Sequence, residues 1–450
     1  MNAGPLRNAL VIAGCVMTTA LSTAAANWPG WRGDGGGISP ETDLPLTWSE
    51  AAAVQWKTPL PGAGHSSPIV WGHRVFVTTA VAADPNVETF RGGVYMGGNR
   101  ARPDASEYAY CVVCLDADRG EVLWSTAVAR QRPKTRRHTK NTYASETPVT
   151  DGTHIFASFG SVGLYCLDFE GHMIWRRDLG LLRDRRGWGT GASPVLFRNT
   201  VIVNCDSDDE SYIAAFHKTT GDPVWRTERE EGPSWGTPLL FETKGRATVV
   251  TNATRRMRGY EAATGKLLWE CGGGSRISVP SPVAADGLVF LSSGHNLLRH
   301  QPIIAVRAEA SGEITLGQGE LQNEGIAWWH PKGGAYVTSP IAVGGYLYVP
   351  LDQGTLTCYE GQTGKRVYEK RDLGGRNTIT ASPVAADGRI YLQTEDGECY
   401  VVRQGPEFEI LAVNKLDEIF CASPAISGGR LFLRGRKHLY CIGNREDNAP

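Results

Sequence analysis

Residues 237–269 read TPLLFETKGRATVVTNATRRMRGYEAATGKLLW, and the alternation in this stretch decides the fold. Thr237-Pro238-Leu239-Leu240 opens one short apolar strand, Ala247 to Thr251 forms a second, and Met257 to Tyr260 a third. The turn Ala263-Thr264-Gly265 then reverses the chain into a fourth strand ending on Trp269, with glycine where a tight hairpin needs positive φ. Four short strands joined by turns, with no sustained helical period, make one antiparallel sheet.

The Ser-Pro or Thr-Pro opening recurs eight times, with prolines at 68, 148, 194, 238, 282, 340, 383 and 424. Five of the seven spacings lie between 41 and 46 residues, close to the roughly 40–45 residues of a four-stranded propeller blade. The other two, 80 and 58, hold insertions. Four residues beyond each turn glycine stands a large ring: Trp124 after Gly120, Trp175 after Gly171, Trp225 after Gly221, Trp269 after Gly265 and Tyr368 after Gly364, with Leu316 after Gly312 as a weak copy. Such a ring on an outer strand packs neighbouring blades together. The last unit stops after a third strand at Tyr440 to Ile442, and Val54-Gln55-Trp56-Lys57 is the expected fourth, because Trp56 precedes Pro68 by nearly the interval that separates Trp225 from Pro238. Borrowing that strand across the termini removes an open sheet edge. The expectation is an all-β, eight-bladed propeller over 27–450, one body rather than several domains.

Composition agrees with this reading. The 54 glycines, 25 prolines and 13 tryptophans suit many short strands, and the balance of 46 basic against 47 acidic residues gives no global field toward nucleic acid or an anionic membrane. Residues 1–26 differ from the rest: Arg7, an apolar run from Ala9 to Leu21 and the small residues Ala24-Ala25-Ala26 read as an export signal cleaved before Asn27. Ile12-Ala13-Gly14-Cys15 also permits a lipobox, which would anchor the chain by a lipid on Cys15. No other stretch is a transmembrane candidate, and the mature protein is expected to be monomeric in the periplasm or cell envelope. Nine cysteines follow the signal, an odd number, and Cys114, Cys166, Cys358, Cys399 and Cys441 read as small packing residues at one point of the repeat. Cys111 and Cys114, three apart on a strand, face opposite ways and make a poor metal or redox pair.

The T-G-K-L-L-W turn, the S-P-V-A-A-D-G opening at 281–287 and 382–388, and the eightfold count resemble the pyrroloquinoline-quinone-like (PQQ-like) propeller repeat. Quinoprotein alcohol dehydrogenases and BamB-type propellers of outer-membrane assembly share that repeat. The resemblance implies the fold but does not choose between two unrelated kinds of work.

Strands alternate in direction, so the second-to-third and outer-to-inner connections of every blade emerge on one face. Insertions at 82–108, 130–145, 183–191, 206–211, 295–301 and 317–337 are all expected there, which makes that face the binding side. The candidate binding residues are Arg136, Arg137, His138 and Lys140 in a basic stretch, Trp188, Trp235 and Trp329 just before inner strands, and Asp206 and Asp208 in an acidic loop that could pair with the basic one. Trp328, beside Trp329, is read the same way. Each has a bland alternative, as a solvated charge or a ring plugging the funnel mouth. No catalytic residue, metal ligand or cofactor is expected. The favoured reading is an exported non-enzymatic scaffold that binds an envelope protein or a polysaccharide; the alternative is a dehydrogenase using PQQ with calcium. Against the alternative, the sequence has no Cys-Cys pair of the kind such dehydrogenases carry over the quinone.

If the repeat register is right, nonreducing mass mapping should find Cys114, Cys166, Cys358, Cys399 and Cys441 unpaired, since equivalent points of different blades lie beyond the roughly 4.4–6.8 Å between Cα atoms that a disulfide requires.

Overall fold

In a computed structural model of the chain, residues 1, 27–87, 90–93, 106–294, 299–375 and 378–444 are described. The export signal and Cys15 lie outside them, as do parts of the insertions at 82–108 and 295–301. Eight antiparallel sheets follow one another around a ring. The fourth blade has strands Leu239–Thr243, Arg246–Thr251, Met257–Glu261 and Leu267–Cys271, as its sequence predicts. The last blade is completed by Val54–Pro59, which pairs antiparallel with His438–Gly443 and sets Trp56 opposite Cys441.

The Ser-Pro and Thr-Pro repeat has a physical reason that spacing alone does not reveal. The backbone N–H of Ser67 donates to the hydroxyl of Thr147, Thr147 to Ser193, Ser193 to Thr237, and Thr237 to Ser281, at 2.8–3.1 Å. Ser281 continues to Ser339, Ser339 to Ser382, Ser382 to Ser423, and Ser423 back to Ser67, at 2.9–3.0 Å. Eight buried hydrogen bonds thus close a circle around the axis, one per blade. The proline that follows has no N–H, so it adds no donor needing a partner there.

A second contact joins the blades at their outer edges. The indole N–H of Trp56 donates to the Ala117 carbonyl, that of Trp124 to Phe169, Trp175 to Lys218, Trp225 to Ala262 and Trp328 to Gly361, each in the turn of the following blade. Under each ring lies that turn's glycine, at positive φ. Two residues after the tryptophan, a side chain holds the glycine carbonyl: Thr58 on Gly120, Thr126 on Gly171, Thr227 on Gly265 and His330 on Gly364.

Trp328 therefore corrects the sequence reading. It belongs to the outer strand of the fifth blade, Ile326–His330, together with Trp329. The third strand of that blade ends at Arg307, and the chain runs on through 308–325 before the outer strand begins. Within that excursion Gly312–Glu313 adds a short parallel strand to the fourth blade, beside Trp269. Much of the 317–337 insertion thus leaves from the short-turn face, and Leu316 is not an outer-strand copy. Cys399 is also out of register. Val401 is the residue opposite Tyr391, where Cys114 faces Phe76 and Cys166 faces Phe156, so Cys399 lies two residues earlier on its strand. All nine described cysteines are unpaired.

Residues 27–53 do more than lead into the closing strand. Trp28 exchanges two backbone hydrogen bonds with Val70 of the first blade, the Pro29 carbonyl accepts from Thr150 of the second, and Gly37 and Ser39 bond to Ala385 of the seventh. Between them the fully buried Arg32 donates to the carbonyls of Pro340 and Pro383 at 3.0 Å. Blades two and six stand opposite in an eightfold ring, so this segment spans the axis and stoppers the channel.

Gly221 and Gly388 share a φ of +70°, but a Cβ at 221 would lie 2.6 Å from the Trp175 ring, whereas one at 388 would meet nothing within 4 Å. Gly221→Ala is expected to lose about 1–3 kcal/mol more than Gly388→Ala in denaturant unfolding, the usual cost of overpacking. Equal losses would mean that the glycine does not serve the tryptophan contact.

Candidate functional site

Period-two alternation continues outward from the hydroxyl ring, so the residue two before each ring hydroxyl also faces the axis. These residues are His65, Ser145, Gly191, Trp235, Val279, Val337, Thr380 and Cys421, and all eight line one cavity of about 240 Å³ on the looped side of the ring. The hydroxyl ring is also part of its lining, with Trp31 of the stopper segment. The first ring is uniform and the second varied. The Ser-Pro register alone marks the positions of this second ring.

Long connections raise the wall above it. His138, Lys140 and Asn141 come from the connection after the first blade, Trp188 and Thr190 from the next, and Gly93 from the first blade's inserted loop. Trp188 and Trp235 lie with ring centroids 5.5 Å apart at 38°, and the Arg186 guanidinium sits 5.3 Å from the Trp188 ring. The pair is held by backbone: Trp235 donates its indole N–H to Gly189 at 2.7 Å, and Asn141 donates to the carbonyls of Trp188 and Thr190. On the far side Lys140 forms an ion pair with Glu395 of the seventh blade and donates to the Gly93 carbonyl, while the Gly93 N–H reaches Glu395 at 2.8 Å. Thr380 donates to the same carboxylate.

The other predicted residues separate. Arg136 is exposed, but Arg137 is buried, donating to the Asn141 carbonyl at 2.9 Å with its guanidinium 5.2 Å from the Tyr143 ring. Asp206 is buried in an ion pair with Arg229, 2.8 Å, and accepts from Ser234 and Asn204. Among the described residues the acidic loop meets other partners: Asp209 pairs with Arg183 at 3.2 Å, and Asp208 accepts the backbone N–H of Arg185 at 2.7 Å. Trp329, on its outer strand, packs beside His300 and does not line the cavity.

Burial and neighbouring cations lower the charge of the cavity's histidines. The His65 pKa is pushed down to about 3 by burial and by Arg434 and Arg436 nearby, and that of His138 to about 4 by burial and Lys140. His65 is therefore neutral and donates its Nε2–H to the Lys140 carbonyl at 3.0 Å. Glu146, next to the ring hydroxyl of Thr147, is buried with Oε1 unpartnered, beside a cavity of about 20 Å³, and burial raises its pKa to about 7.

Known proteins can now be set beside this geometry. The family model described as outer membrane protein assembly factor BamB matches residues 109–233, 209–308 and 304–405. BamB from Moraxella catarrhalis superposes with a TM-score of 0.53 at 13% identity, covering 81% of this chain and 98% of that one. A quinohemoprotein alcohol dehydrogenase from Comamonas testosteroni gives 0.61 at 11% identity, covering 93% and 81%. Among curated proteins, a tetrathionate hydrolase of Acidithiobacillus ferrooxidans is 20% identical over 304 residues, 62% of this chain and 53% of that protein, so the match spans about half its length.

The raised pKa of Glu146 sets a pH dependence. Between its unfolded value near 4.5 and about 7 the folded state holds the extra proton, so its contribution is fully present below 4.5 and is lost as pH rises through 7. His65 and His138, with lowered folded values, act in the opposite sense at lower pH, and comparison with Glu146→Gln cancels them. The melting temperature of wild type minus that of the variant is expected to fall between pH 5 and 8. A flat difference would contradict burial of an unpaired carboxyl.

Proposed function

We propose, for a chain that belongs to the family described as outer membrane protein assembly factor BamB, a non-enzymatic role as an exported scaffold whose looped face binds an envelope protein or a polysaccharide. The observation that carries this reading is the Trp188–Trp235 pair, fixed by backbone hydrogen bonds at the cavity mouth. Half-buried aromatic faces held in one geometry are ready-made contact area for a partner side chain or a sugar, with little ordering left to do on binding. Arg136 and Arg186 add positive charge at the rim. Export by the signal at 1–26, with or without a lipid on Cys15, and a monomeric state belong to the same proposal.

The residues present do not fit a calcium-held quinone. A calcium ion takes six to eight oxygen ligands with several carboxylates among them. Asp352 is the one carboxylate among the described residues lining the cavity, Glu395 beyond the lining is already held by Lys140, Thr380 and Gly93, and the described residues contain no group of three or more His, Cys, Asp or Glu side chains able to hold a metal. The quinoprotein reading would be restored by quinone absorbance that stays with the protein after reconstitution with PQQ and calcium.

Replacing Arg136 and Trp188 by Ala together should weaken capture of the native partner from an envelope extract about tenfold or more, the scale of a truncated aromatic hot spot. Lys266 and Lys365, exposed in short turns on the opposite face, should be replaceable by Ala with capture unchanged. Loss of capture from the lysine side alone would reverse the assignment of the binding face.

A further inference from the structure

The hydroxyl ring has unused capacity. Each Ser or Thr hydroxyl has one donor and two acceptor positions. Every ring oxygen accepts a backbone N–H from its neighbour, yet none of the eight O–H groups donates to another protein group among the described residues. All eight hydroxyls are more than nine-tenths buried, and all line the floor of the cavity. Accepting an N–H polarises a hydroxyl and makes its own proton a stronger donor. The fold thus gathers eight O–H donors around one axis with no acceptor of its own at the centre.

Two buried cations flank this floor. Arg32 lies beneath it, its guanidinium 5.3 Å from the ring of Trp31, and donates only to the carbonyls of Pro340, Pro383 and Gly36. Pro340 and Pro383 directly follow the ring residues Ser339 and Ser382. Arg434 donates to Ser66 and Thr78, next to the ring residue Ser67. Neither arginine forms a direct ion pair among the described residues, although the nearby Asp34 acts on Arg32, and burial lowers the pKa of both to about 9. By contrast, the buried Arg229 and Arg258 are paired, with Asp206 and Glu231. A buried charge left without a counter-charge is costly.

We infer that the floor of the cavity is an anion site, in which the hydroxyl ring holds one compact oxyanionic group, a carboxylate or a sulfate, and the guanidinium groups of Arg32 and Arg434, outside the cavity lining, supply positive charge from behind it. This deepens the proposed binding role by naming the chemistry of the group that enters, and it rests on different residues from the rim. Of the nearby carboxylates, Glu395 is neutralised by Lys140, while Asp352 lines the cavity itself and is engaged in an interaction of its own, so the bound group has to sit with its charge toward the hydroxyl ring. The same chemistry arrives either as a free oxyanion or as the acid group of a sugar.

The full chain, titrated at constant ionic strength with sodium sulfate, D-glucuronate and D-glucose, is followed by tryptophan fluorescence and by calorimetry. Trp31, Trp188 and Trp235 in the cavity wall report occupancy. Sulfate or glucuronate should bind saturably and raise the melting temperature, and glucose should not displace either. Glucuronate binding tighter than sulfate identifies an acidic sugar as the source; sulfate binding tighter identifies the free ion. Arg32→Met should weaken binding at least tenfold, and Thr147→Val with Thr237→Val, which removes two donors together with two bonds of the circle, should weaken it several-fold where the variant folds; should neither variant fold, the wild-type titration against glucose still decides the site. Absence of saturation by either anion, equal competition by glucose, or unchanged affinity in a folded variant would overturn the site. The Lys266→Ala variant, on the opposite face, should bind sulfate normally. Lost partner capture with sulfate binding intact bears on the rim, and lost sulfate binding with capture intact on the floor.

Discussion

The structure depends on a closed circle of eight hydrogen bonds, in which the amide that opens each inner strand donates to the Ser or Thr hydroxyl of the next blade. A circle of this kind imposes a condition on every unit at once. Each blade must present its hydroxyl at the same radius and height, and the eighth must meet the first. That is why the last blade cannot remain three-stranded: without Val54–Pro59 its third strand, His438–Gly443, would be an open edge beside the first blade. The tryptophan contacts at the rim and the hydroxyl circle at the hub then hold each blade at two radii, which fixes its tilt as well as its place. The rim contact is not universal. Beside Trp269 the short strand Gly312–Glu313 stands where a docking turn would be, so that interface is held by backbone pairing instead.

Charge is handled differently at the two levels of the looped face. In the third and fourth blades, loops are braced by buried ion pairs and carboxylate-to-amide bonds: Asp206 with Arg229, and Glu231 with Arg258 and the N–H groups of Arg255 and Arg256. Breaking one partner of such a pair costs more than the pair contributes, because the other charge is then buried alone. These bonds therefore hold loop shape more than they add net stability, and the aromatic pair next to them keeps its position. Near the hub the arrangement changes. There the cations meet carbonyls and hydroxyls, Glu146 keeps one carboxyl oxygen without a partner, and His65 stays neutral.

Two rings, one uniform and one varied, divide the work of the inner surface. The hydroxyl ring cannot vary without breaking the circle, and so it offers the same chemistry from every blade. The residues two positions earlier on the same face carry no such condition and take seven identities over the eight blades, from His65 to Trp235 to Cys421, with only Val279 and Val337 alike. A repeat protein can in this way keep its fold while changing what its cavity recognises, because the alternation of a strand places both rings on one side.

The blade count, the strands of the fourth repeat and the closing strand at 54–57 were legible in the sequence alone, because they depend on local alternation, turn glycines and regular spacing. Trp188, Trp235, His138 and Lys140 could likewise be placed on the looped face from topology. Only the tertiary structure decided the rest. Arg137 and Asp206 read as surface charges until packing brought them against their partners, Tyr143 in the same connection and Arg229 on the next strand but one of the chain. Trp328 read as a loop residue because an 18-residue excursion, 308–325, separates it from its third strand, and spacing cannot say on which side of a blade an insertion falls. The stopper at Arg32 and the circle of hydroxyls are contacts between residues up to 356 positions apart. Periodicity reports which face a residue shares with its neighbours, but what that face meets is set by closure of the whole ring.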